Sequence, residues 1–86
     1  MKKFEGSIDE FLAKITHKDI GYLKKSNGKK VMGFWWSEEI PEKHHWIMVG
    51  RKNLNAKEFE EVSTALGKDI KDHIDYYLRQ GYEMYL

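Results

Sequence analysis

The stretch Ile20-Gly21-Tyr22-Leu23-Lys24-Lys25-Ser26-Asn27-Gly28-Lys29-Lys30-Val31-Met32-Gly33-Phe34-Trp35-Trp36 decides the fold. At its centre the Asn27-Gly28 pair suits the two positive φ angles of a type I′ hairpin loop. The flanking runs, Ile20 to Lys25 and Lys30 to Trp36, are therefore expected to pair antiparallel. That turn sets a register in which Lys25 faces Lys30, Leu23 faces Met32, Tyr22 faces Gly33, Gly21 faces Phe34 and Ile20 faces Trp35. Each strand glycine then stands opposite an aromatic ring, which offsets the weakening that glycine brings to a strand.

The same register sorts the side chains. Leu23, Met32, Phe34 and Trp36 share one face, and Ile20, Tyr22, Val31 and Trp35 share the other. Both faces are apolar, so either helices cover both or one carries an aromatic patch. A third strand, His44 to Val49, has the same character, with Trp46 and Met48 on one side and His45, Ile47 and Val49 on the other. The acidic loop Ser37-Glu38-Glu39-Ile40-Pro41-Glu42-Lys43 joins it to the hairpin and holds the only proline.

Helices flank the sheet in sequence. Ser7-Ile8-Asp9-Glu10 fits a capping box, and Ile8, Phe11, Leu12 and Ile15 follow as one apolar stripe. Downstream, Asn55 is a candidate N-cap. Phe59, Val62, Leu66, Ile70, Ile74, Tyr77 and Leu78 then recur at spacings of three and four. The stripe stays in phase across Gly67, which favours one helix ending near Gln80-Gly81 over a break at Leu66-Gly67. Such a helix runs to about 40 Å, longer than a small domain needs, so part of it is expected to project or to pair with a second copy as a homodimer. Residues 81–86 are too apolar for a free tail and are expected to add an edge strand or fold back on the sheet. The expectation is a single α+β domain over residues 1–86: an N-terminal helix, a three-stranded antiparallel sheet and a long C-terminal helix.

The chain has 86 residues, 41% of them hydrophobic, which suits one unstapled core, and no cysteine for a disulfide or a thiolate metal site. No window is apolar for long enough to cross a membrane, and acidic residues follow Met1-Lys2-Lys3 before a secretory apolar run develops. A soluble, cytoplasmic protein is expected. Thirteen lysines against two arginines also fit an AT-rich coding genome, as in a low-GC bacterium or a phage.

No catalytic motif is present: no nucleophile elbow, no glycine-rich phosphate loop and no paired-histidine zinc helix. His44 and His45 are strand neighbours that point to opposite faces and cannot hold one ion together. The expectation is a protein that is not an enzyme and that has neither cofactor nor metal.

Net charge is +1, but it is unevenly spread. Residues 13–30 carry Lys14, Lys18, Lys24, Lys25, Lys29 and Lys30 against Asp19 alone, while residues 56–86 carry four basic and seven acidic side chains. Lys25 opposite Lys30 is repulsive unless an anion lies near. Lysines at a hairpin tip also serve simply to protect an edge. Aromatic rings are more numerous than one side of a small core needs, and Tyr and Trp left at a surface are favoured anchors.

The expected role is a non-catalytic protein-binding module of inhibitor or adaptor type. Lys24, Lys25, Lys29, Lys30, Trp35, Trp36, Trp46, Tyr77 and Tyr82 are its expected contact residues. The alternative is a nucleic-acid-binding module, with the lysine hairpin on phosphates and the aromatics stacked on bases. Helix, three strands, helix is similar to the order of a double-stranded RNA-binding domain. That family opens its second helix with lysines, whereas Ala56-Lys57-Glu58-Phe59-Glu60-Glu61 here would repel phosphate.

Overall fold

The computed structural model describes residues 1–37 and 46–86. The first helix forms where its capping box puts it, as α1 (Ile8–Lys14): the Glu10 N–H donates to the Ser7 hydroxyl at 3.1 Å and the Ser7 N–H to the Glu10 carboxylate at 3.2 Å. Asp9 and Glu10 in its first turn and Lys14 in its last match the helix dipole.

The hairpin follows as β1 (Gly21–Lys24) and β2 (Lys30–Trp36), antiparallel, with Gly21↔Phe34, Tyr22↔Gly33 and Leu23↔Met32 as the alternation requires. Its turn differs from expectation. Among the described glycines only Gly81 has a positive φ, so Gly28 does not take part in a type I′ loop. The Gly28 N–H instead donates to the Lys25 carbonyl at 2.9 Å, which centres the turn on Ser26-Asn27. The β1–β2 ladder ends at Leu23↔Met32, and Lys25 and Lys30 are not ladder partners.

β2 pairs along its length with β3 (Trp46–Asn53), from Lys30↔Asn53 to Trp36↔Ile47. The acidic loop after Ser37 and the His44-His45 pair lie outside the described residues.

The expected long helix is two elements. Residues 61–66 form β4 (Glu61–Leu66), antiparallel to β3, and only then does α2 (Gly67–Arg79) begin, with Leu66 in extended geometry at its N-cap. Val62-Ser63-Thr64 is the physical reason: all three are weak helix formers, and the β-branched Val62 and Thr64 favour a strand. Gly67 is therefore the first residue of a helix and not the cap of one. With α2 at 13 residues, the length that suggested a projecting, dimerising helix is gone.

The C-terminus does return to the sheet, as β5 (Glu83–Tyr85) along β1. Five antiparallel strands thus run in the order β4-β3-β2-β1-β5, in place of three. Both helices lie on one face, where Phe11, Ile15, Leu23, Met32, Phe34, Ile47, Val49, Ile70, Ile74 and Met84 form the buried core. No helix is long and apolar enough to cross a membrane among the described residues.

On the other face the Phe59 ring packs against the middle of the sheet. Gly33 and Gly50 are direct partners across β2 and β3, and the Phe59 ring lies on the bare backbone they leave. A Cβ on Gly50 would stand 2.6 Å from that ring. Phe59 also stacks on Trp35 at 5.1 Å and on Tyr22 at 6.5 Å, with the Lys52 ammonium 5.2 Å from its centroid. Of the two hairpin glycines, Gly33 thus makes room for Phe59, and Gly21, where a Cβ would stand 2.7 Å from Phe11 and Ile15, makes room for the first helix.

Candidate partner-binding surface

The nine residues expected at an interface divide between the two faces of the sheet. Trp35, Trp46 and Lys24 belong to the face under Phe59. There Trp35 pairs with Met48, Trp46 pairs with Leu66, and the Lys24 ammonium lies 5.3 Å over the Tyr85 ring. Trp36 is on the helix side and packs against the core. Its indole is half-buried.

Lys25, Tyr77 and Tyr82 come together on the helix side, at the hairpin end of the sheet. How α2 terminates is what brings them there. The Tyr82 N–H donates to the Tyr77 carbonyl at 3.1 Å and the Gly81 N–H to the Leu78 carbonyl at 3.1 Å, with Gly81 at φ 96°. This is a Schellman motif, which reverses the chain within two residues. Tyr82 is thereby set edge-on to Tyr77 at 5.2 Å, and the Lys25 ammonium lies 5.2 Å over Tyr82. Such a cation over a ring is worth about 0.5–1 kcal/mol at an exposed site.

The cluster extends through Tyr76 and His73. Tyr76 is edge-on to Tyr77 at 5.3 Å and is 58% exposed, the largest aromatic surface among the described residues. His73 sits between Tyr77 at 5.0 Å and Phe34 at 6.3 Å. Its Nε2 is buried without a hydrogen-bond partner. Burial, and then the positive charge of Arg51, hold the imidazole pKa below its ordinary 6.5. Lys30 falls on this side of β2 by alternation with Met32 and Phe34, and Lys29 precedes it at the exposed tip.

Sequence reasoning passes over Arg51. The available signal was its spacing from Ile47 and Val49 on one strand, which puts its side chain on the helix face.

The charge separation seen along the chain is folded back on itself. β5 lies along β1, so Glu83 pairs with Lys24 in register and makes a 2.6 Å ion pair with Lys3, whose ammonium pKa Glu83 raises. Asp75 and Arg79 pair at 3.0 Å on α2, and Asp9 and Lys71 at 2.9 Å between the helices. Lys25 stands at the edge of the tyrosine cluster, and Lys29 and Lys30 follow at the hairpin tip.

Comparison with protein-family models, with curated proteins and with solved structures gives no match to this chain.

Proposed function

We propose that the protein is a small non-catalytic binding module of inhibitor or adaptor type, docking on another protein through Tyr76, Tyr77 and Tyr82 with Lys25, Lys29 and Lys30 beside them. The observation that carries this reading is the 5.2 Å approach of the Lys25 ammonium to the Tyr82 ring, which joins the hairpin to the C-terminal tyrosines through one lysine. Tyrosine suits such a surface because it brings contact area at little entropic cost and keeps a hydroxyl for hydrogen bonding. Lysine at the edge of an aromatic centre fits a partner whose own surface is apolar at the centre and acidic at the edge.

The test is capture from the native cell with and without nuclease, run in parallel with Tyr76→Ser and with the Lys29→Glu, Lys30→Glu double variant. A protein that survives nuclease, and that both variants lose, supports the reading. Retention by both variants overturns it. Capture of nucleic acid alone, weakening steeply with salt, overturns it in favour of the nucleic-acid alternative.

A further inference from the structure

Two backbone hydrogen bonds fix the phase of the sheet at its β4 side. The Ser37 N–H donates to the Trp46 carbonyl at 3.3 Å and the Leu54 N–H to the Lys29 carbonyl at 2.6 Å. Even-numbered residues of β3 therefore turn their peptide groups toward β2, and odd-numbered ones toward β4. The odd residues face Glu61, Ser63 and Ala65, so these three bond to β3. Val62, Thr64 and Leu66 turn their N–H groups outward, with the Val62 and Thr64 carbonyls beside them. Among the described residues no strand lies beyond β4.

The two edges of the sheet are treated differently. On the far side the N-terminal segment covers β5: the Lys2 N–H donates to the Leu86 carbonyl at 2.6 Å and the Phe4 N–H to the Met84 carbonyl at 2.8 Å. On the β4 side Glu61 to Thr64 are exposed, and Val62 is 51% exposed. Between Val62 and Leu66 there is no charge and no proline. A bulge does occur, since Glu60 N–H also donates to the Arg51 carbonyl at 2.8 Å, but it precedes this stretch. Among the described residues, then, neither a charge, a proline nor a covering strand blocks this edge between Val62 and Leu66.

We propose that β4 pairs antiparallel with β4 of a second copy across a two-fold axis at Thr64, so that one sheet runs through both copies. The hydrogen-bond phase allows only registers in which outward residues face outward residues, and the one centred on Thr64 uses the whole row. It sets Val62 beside Leu66 of the second copy, an apolar pair on the Phe59 face. The two copies are thus complementary in backbone and in apolar contact, each contact being made twice. This surface is separate from the tyrosine cluster, and the inference stands or falls independently of the proposed function.

Since the chain has no cysteine, one can be placed as a reporter. Thr64→Cys faces its own symmetry mate at a separation a disulfide can span, whereas two Val62→Cys residues stand about 13 Å apart. Mild oxidation is expected to cross-link Thr64→Cys at least about tenfold faster than Val62→Cys. Sedimentation equilibrium of the unaltered chain, from about 1 μM to about 1 mM, is expected to reach the two-chain mass. Thr64→Pro removes an N–H that β3 does not use, and it is expected to raise the dissociation constant by about tenfold or more. A one-chain mass throughout, equal cross-linking of the two cysteine variants, or a dimer indifferent to Thr64→Pro each overturns the proposal.

Discussion

Gly33 and Gly50 face each other across β2 and β3, and together they leave the bare patch of backbone on which the Phe59 ring rests. Neither residue is placed there for its own flexibility. Both are glycine because the ring comes too close for any Cβ. Gly50→Ala, which must displace Phe59, is expected to lower unfolding stability by about 1–3 kcal/mol, the usual cost of overpacking. Phe59→Ala alone is expected to cost about 2 kcal/mol, the ring being half-buried rather than enclosed. In the double variant the two costs should not add, because removing the ring removes the clash. Urea titration of the four proteins measures this, with Trp35 emission moving to the red wherever the stack is lost.

Burial and Arg51 depress the folded-state pKa of His73 below the 6.5 of the unfolded chain. Above pH 6.5 the residue is neutral in both states, and its contribution to stability is fully present. As pH falls below that value the unfolded chain takes up the proton first, so stability drops until the folded-state pKa is passed. His73→Phe is expected to flatten that part of the pH–stability curve. The imidazole resonances, followed by NMR, should show His73 titrating below 6.5.

The first helix rests on a local device that can be removed cleanly. Ser7→Ala takes away the hydroxyl that accepts from the Glu10 N–H at 3.1 Å and leaves the Glu10 carboxylate with its half of the box. A loss of about 1 kcal/mol is expected in thermal or urea unfolding. Ser7→Asp, which keeps an acceptor and adds a favourable charge at the helix start, is expected to restore most of it.

What was legible in the sequence follows how local each signal is. The capping box and the hairpin register depend on neighbours, so Ser7, Glu10 and the Tyr22↔Gly33 pairing read directly. Phe59, Val62 and Leu66 misled because their spacing of three and four is helical, and Phe59 is in truth held by β2 and β3, strands that precede it in the chain. Two signals pointed the other way: the run Val62-Ser63-Thr64, and a glycine in the middle of each of two successive strands. The tyrosine cluster was visible only as composition. Joining Tyr82 to Tyr77 takes the reversal at Gly81, and joining Lys25 to Tyr82 takes the return of β5 along β1.

That reversal gives a final expectation, which separates backbone strain from packing. Nothing lies within 4 Å of the position a Gly81 Cβ would occupy, and φ there is 96°. Gly81→Ala therefore meets no clash, and its whole cost is the left-handed backbone, about 1 kcal/mol. Asparagine tolerates that conformation better than alanine, so Gly81→Asn should lose less. If alanine and asparagine proved equally costly, the Schellman turn would not be what holds Tyr82 against Tyr77. If both lost stability in the expected order, binding by the tyrosine surface should weaken in that same order, since Tyr82 reaches the cluster only through this turn.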